Sequence, residues 1–433
     1  MSQTDEEHRY RNVLALPLSR SGGLDPLMEA LSDESWRVRK AAVDRLVSDA
    51  PVEVLVPRLI EALADEESAS RRSAAMEALI KIGAGAVPAV KAAAAHADAE
   101  VRKFALDTLG LMGGEEAVDT VAGAVADADP NVRSAAVEAL GRLGTAAAQG
   151  ALLRILADGA PDLQVAALDA LGRCGAAVPL DRLEPALKRR DARRAAVRAL
   201  GHCPDPGAER AILDALLDRA RGVREAALAA WAMKARRRSA SLPPPAGERR
   251  DSLIPPALEG LEGADVLAAE GAADLLGCLR AREATEALAR AADRDELRTV
   301  LRRALREIGP AVLEECQRDF AVLSASGRTL ILEVLRDLAE GADPAFRRQA
   351  ERFALHWIGT TTEQPVRLAA MALLEGVGTA EALAPLADVL GSDPEIDIAA
   401  ERALGAAATA APEGLRALCR ARLRSPADVS RAL

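Results

Sequence analysis

Apolar residues along this chain recur at helical spacing in short blocks, and the blocks themselves recur about every thirty residues. In one block Val132, Ala135, Ala136, Ala139, Leu140 and Leu143 share a face while Ser134, Glu138 and Arg142 point away, which is the pattern of an amphipathic helix. That helix is expected to stop at Gly144, where a left-handed residue is needed, and the same stop is expected at Gly83, Gly113, Gly175 and Gly378. Upstream of each block lies a second apolar stretch closed by a turn rich in Asp, Pro and Gly, as in VAGAVADADPN before Arg133. The spacing therefore predicts pairs of antiparallel helices joined by tight turns.

Each block opens on Val-Arg or a variant of it, and aligning on the arginine gives twelve anchors: Arg39, Arg72, Arg102, Arg133, Gln164, Arg193, Arg224, Ala269, Arg298, Arg328, Arg367 and Asp397. Nine of the eleven steps between them are 29 to 33 residues long, and the other two are 45 and 39. One hairpin of that size cannot bury its own apolar face, so the hairpins must stack. The fold expected is an all-α solenoid of about twelve helical hairpins. Half of the residues are hydrophobic but only 2% are aromatic, so the core is built from many small contacts, with alanine letting helices approach closely.

The long steps interrupt this pattern. Between Arg224 and Ala269 runs KARRRSASLPPPAGERRD, from Lys234 to Asp251, whose prolines and arginine clusters are not expected to continue a helix. The division expected is an array of about seven repeats over residues 1–233, a basic loop or hinge over 234–252, and about five repeats plus a cap over 253–433. The 39-residue step carries Phe346, Phe353 and Trp357 on one helical face, read as filling of a local core or as an exposed stripe for a partner.

Charge sharpens the division. Residues 1–180 hold 18 basic against 27 acidic residues, 181–250 hold 17 against 9, and 251–433 hold 21 against 30, so a basic centre lies between two acidic arms. That distribution permits head-to-tail self-association, and the acidic arms argue against a nucleic-acid clamp, since phosphate neutralisation supplies most of that affinity. Only Lys188 to Arg194 and the central segment could serve one. Five widely spaced cysteines without a Cys-x-x-Cys pair favour a reducing compartment over disulfides or a zinc site. The start, MSQTDEEHRY, lacks the regions of a signal peptide, and no apolar run reaches the eighteen residues of a membrane span. A cytoplasmic protein without membrane contact is expected.

Candidate chemistry is repetitive. Asp33, Asp98, Asp127 and Asp218 precede the anchors Arg39, Arg102, Arg133 and Arg224, an arrangement suited to aspartates that accept from helix amides and arginines that bridge to the next turn. Five residues past the first five anchors stand Asp44, Glu77, Asp107, Glu138 and Asp169. This acidic column is a candidate site for a basic protein partner. Each acid also has a base four residues away, Lys40, Lys81, Lys103, Arg142 and Arg173 in turn, and such pairs stabilise a helix without any ligand. A second candidate contact is the basic segment, through Lys234, Arg236, Arg237, Arg238, Arg249 and Arg250. No phosphate-binding loop and no Gly-x-Ser-x-Gly elbow occurs, so neither enzyme activity nor a cofactor is expected.

The acid in the turn, the following Val-Arg and the run Ala-x-x-Ala-Leu-Gly resemble HEAT repeats, specifically the short bacterial type found in phycobilin lyases. The resemblance runs from about Leu24 to Leu404 and is strongest over residues 90–175. It implies a right-handed superhelix whose second helices line the concave face, and a scaffold that binds another protein, in a bacterial signalling or assembly complex. It also leaves open a lyase-like handling of tetrapyrroles, for which four Phe, three Trp and one Tyr supply few contacts, and nucleic-acid binding through the basic centre.

Overall fold

The computed structural model describes residues 3–16, 24–237, 248–391 and 393–422. Among them are twenty-six α-helices and no strand. All twelve anchors stand on the second helix of a hairpin, at or close to its first turn. The fold is an all-α solenoid.

The chain divides into two compact units, Met1–Ala208 and Glu209–Leu433. In the first, the second helices are Trp36–Asp49, Ala69–Ile82, Ala99–Met112, Pro130–Leu143, Pro161–Arg173 and Arg193–Ala199. The preceding helix Gln3–Ala15 packs on Trp36–Asp49. In the second unit they are Arg221–Arg237, Val266–Cys278, Arg298–Ile308, Ala325–Ala339, Gln364–Val377 and Pro394–Ala410, followed by Pro412–Arg422.

The periodic face is the buried one. Val132, Ala135, Ala136, Ala139, Leu140 and Leu143 are all buried, whereas Ser134 and Glu138 are exposed. Neighbouring second helices meet almost backbone to backbone, because a glycine eight residues past one anchor faces an alanine six past the next. A Cβ on Gly110 would lie 2.9 Å from the Ala139 Cα, one on Gly141 2.8 Å from the Ala170 Cβ, and one on Gly277 2.7 Å from the Ala304 Cα. Packing of this kind has no room for a methyl group.

Helix ends follow the turn chemistry. Asp98, Asp129, Asp265, Asp343 and Asp393 cap their helices by accepting from first-turn amides. Gly144 is left-handed, with φ 60° and ψ 2°, as its position requires. Gly378 also ends its helix, yet its φ of −60° is extended; the chain turns directly into the Thr379 cap of the next helix, so no left-handed residue is needed there.

The two long steps resolve differently. Phe353 and Phe346 are buried, and Phe320, Phe353 and Trp357 form a cluster with ring centroids 4.7 to 6.4 Å apart. The aromatic face therefore fills a local core, made possible by the seventeen-residue first helix Pro344–Thr360. The described residues of the basic segment are helical on both sides. Lys234, Arg236 and Arg237 form the last turn of Arg221–Arg237, and Arg249 and Arg250 lie in the first turn of Glu248–Leu261. Alanine and long straight side chains propagate the first of these helices, and three cations at its C-terminus complement the helix dipole. Arg238 lies outside the described residues.

Candidate functional site

The anchor arginines act first on their own hairpin. Five of the guanidinium groups fold back over the turn and donate to the carbonyls six and five residues earlier: Arg39 to Asp33 and Glu34, Arg102 to His96 and Ala97, Arg133 to Asp127 and Ala128, Arg193 to Leu187 and Lys188, Arg224 to Asp218 and Arg219. Arg72 donates to the Asp65 carbonyl, seven residues earlier. A charged donor thus satisfies carbonyls at the end of one helix while standing on the start of the next. The expected bridge to the following repeat is made by some anchors only. Arg102 makes a bidentate pair with Asp127, at 2.8 Å for both bonds, and Arg224, Arg298 and Arg328 reach Glu259, Glu333 and Glu363.

The acidic column is present on the second helices, but its partners differ from those expected. Glu77 with Lys81 at 3.3 Å and Glu138 with Arg142 at 3.1 Å are pairs within one helix. Asp44 instead pairs with Lys81, Glu77 also with Lys40, Asp107 with Arg142 at 2.7 Å and Asp169 with Arg198 at 3.4 Å. These bonds cross from one repeat to the next, because stacking sets each acid beside the base of its neighbour. Lys103 turns to Glu100 at 3.5 Å. The Lys81 ammonium is raised above the ordinary lysine value, first by its bond to Asp44. Asp44 and Glu138 keep about half of their side-chain surface, 53% each, and are the column's most accessible carboxylates.

The basic residues of the centre are also engaged. Arg236 pairs with Glu270 and Arg249 with Asp214 at 2.9 Å. Arg250 donates to the Leu279 and Arg280 carbonyls and to Asp251 and Glu283. Much of the positive charge offered to a polyanion in the sequence is therefore already met within the second unit.

The same unit holds a buried polar contact. Asp274, 5% exposed, accepts from the Trp231 indole at 2.9 Å and from Arg303 at 2.5 Å, linking three successive second helices. Among the described residues no group of three His, Cys, Asp or Glu could hold a metal ion, and no helix is long and apolar enough to cross a membrane.

One residue that the charge pattern passes over stands out by exposure. Trp36 shows 67% of its surface, whereas Trp231 shows 2%. It separates two grooves on the second-helix face of the first hairpins. One, of 330 Å³, lies toward Val43, Ala74 and Glu77, and the other, of 290 Å³, toward Tyr10, Leu14 and Asp44. The Arg37 guanidinium covers the Tyr10 ring at 3.9 Å and pairs with Glu7. The sequence does carry a signal for Trp36: three residues before the anchor, the next four hairpins have Ala69, Ala99, Pro130 and Pro161.

Comparison with known proteins agrees with this construction. The family model for HEAT repeats matches residues 1–80 and 86–172. That stretch is similar to HEAT repeats. Among solved structures, Kap95p, in a structure concerned with the switch loops of RanGDP, shares 12% identity at a TM-score of 0.51, over 99% of this chain and 71% of that one. Importin beta shares 14% at 0.50, over 96% and 67%, and Kap121p bound to Ste12p shares 12% at 0.50, over 95% and 55%. Identities this low establish likeness of fold alone. No curated protein matches the chain in sequence.

Proposed function

We propose that this chain is a non-enzymatic scaffold which holds another protein against the second-helix face of its hairpins. The observation that carries the reading is Trp36, a large aromatic left open between two grooves in a molecule whose other large apolar side chains are mostly buried. Open aromatics flanked by grooves are typical anchors of protein interfaces. Asp44 lines one groove and Glu77 the other, so the start of the acidic column belongs to the proposed surface, with Asp107, Glu138 and Asp169 continuing it. Lys234, Arg236, Arg237, Arg249 and Arg250 are the proposed second contact. The bacterial signalling or assembly setting follows from the resemblance of the repeats to the short bacterial type. Cytoplasmic residence is supported by five free thiols.

The test is retention of the native partner by tagged full-length protein. Trp36→Ala is expected to lower partner affinity by about tenfold or more, and Asp44→Asn with Glu138→Gln to lower it further. Retention unchanged in all three substitutions would refute the reading. Charge reversal is a poor probe here, because Lys at positions 107 and 138 would surround Arg142 with like charge. Colour on co-expression with a bilin, or a salt-dependent shift of labelled DNA or RNA, would favour tetrapyrrole handling or nucleic-acid binding instead.

A further inference from the structure

The anchor arginine is missing from one hairpin of the first unit, and its place is open. In the other five hairpins of that unit a guanidinium sits on the turn carbonyls. The fifth has Gln164, and among the described residues no arginine donates to the corresponding Asp158 or Gly159 carbonyl. A groove of 450 Å³ lies over this turn, lined by Asp158, Gln164, Leu168, Asp181, Pro185 and Arg189 among others. It is larger than the two grooves beside Trp36.

The second unit shows what such a place accepts. Its hairpin with Ala269 also lacks the arginine, and there Arg294, twenty-five residues further on, reaches back to the Gly263 carbonyl at 2.9 Å and the Leu261 carbonyl at 3.2 Å. A guanidinium delivered from outside the hairpin thus takes the seat. Arg189 stands at the same twenty-five-residue offset from Gln164 but is turned aside. It donates to the Gln164 Oε1 at 2.6 Å and is held by Asp191, at 2.6 and 3.3 Å. Asp191 offsets the Arg189 charge, and Asp158 and Asp181, both exposed and without an ion pair among the described residues, outnumber the groove's other cation, Arg182.

We propose that the turn of the fifth hairpin is a binding site for an arginine side chain of a protein partner. The guanidinium donates to the Asp158 and Gly159 carbonyls as the chain's own anchors do in the neighbouring hairpins, with the Asp158 and Asp181 carboxylates supplying the countercharge. Lysine is a weaker guest because a single ammonium does not span two carbonyls and a carboxylate in the planar fork geometry. This deepens the scaffold reading by naming a feature of the partner, on a surface separate from Trp36.

Fluorescence anisotropy with the full-length protein tests it, using fluorescein-labelled Gly-Ser-Arg-Ser-Gly and its lysine and citrulline counterparts at physiological ionic strength. The arginine peptide is expected to bind about tenfold more tightly than either counterpart. Gln164→Arg fills the seat from within and is expected to abolish that preference without lowering the melting temperature. Asp181→Asn, on an exposed first turn, is expected to weaken the arginine peptide alone and serves should Gln164→Arg fold poorly. Equal binding of the three peptides, no binding of any, or a preference that survives both substitutions would overturn the proposal. Partner retention that depends on Trp36 would in those cases still stand, so the two readings fail separately.

Discussion

Replacing Gly271 by alanine should destabilise the second unit, although alanine is the better helix former. Gly271 lies inside Val266–Cys278 against Arg221–Arg237, and a Cβ there would stand 1.9 Å from the Leu228 carbonyl oxygen, 2.7 Å from its carbon and 3.2 Å from the Ala232 nitrogen. The nearest of these falls 1.5 Å short of an ordinary 3.4 Å contact, and all three atoms are backbone, so no rotamer change relieves them. The two helices must separate, which also lengthens the Trp231 to Asp274 bond, now 2.9 Å. Overpacking of this kind costs about 1–3 kcal/mol, and opening the bond to a buried carboxylate adds roughly 1.5–3 kcal/mol. Against this stands a gain of roughly 0.5–1 kcal/mol in helix propensity. A net loss of about 1.5–5.5 kcal/mol is expected. Gly405→Ala supplies the control, since nothing lies within 4 Å of its Cβ in the helix Pro394–Ala410; it should gain about 0.5–1 kcal/mol. Urea unfolding followed by circular dichroism, with hydrogen exchange of Val266–Cys278, gives both values. A Gly271→Ala protein as stable as the wild type would refute the argument that backbone contact sets the spacing of these hairpins.

Further expectations concern charge and exposure. Asp127 and Asp337 are held below the usual carboxylate range, first by their bonds to Arg102 and Arg302. Each therefore adds stability at neutral pH that is lost as pH falls below about 4; a pH series of melting temperatures should show the loss, and Asp127→Asn should reduce it. Trp231→Phe removes a donor from buried Asp274 and should cost about 1.5–3 kcal/mol in urea unfolding. Trp36→Ala, at an open position, should change stability by less than about 0.5 kcal/mol in the same assay. Burial pushes the Cys316 thiol up to about 12, so at mildly alkaline pH a thiol reagent should modify exposed Cys419 and leave Cys316 intact by mass spectrometry until the protein unfolds.

The sequence by itself determined the period, the helical hairpin, the buried face and the place of every anchor on a second helix. These are local properties: a face is set by residues three and four apart, and a turn by the Asp, Pro and Gly within it. Val132 to Leu143 could be assigned to a face from spacing alone, and they are buried as assigned. What only the tertiary structure decided is which groups meet across repeats. Asp44 pairs with Lys81 rather than Lys40, and Asp107 with Arg142 rather than Lys103, because the partner depends on the offset between stacked helices, which a one-dimensional period does not contain. The same holds for the opening of Trp36 between two grooves. It holds as well for the unfilled turn at Gln164, where Arg189 has the register to reach the carbonyls but bonds to Asp191 instead.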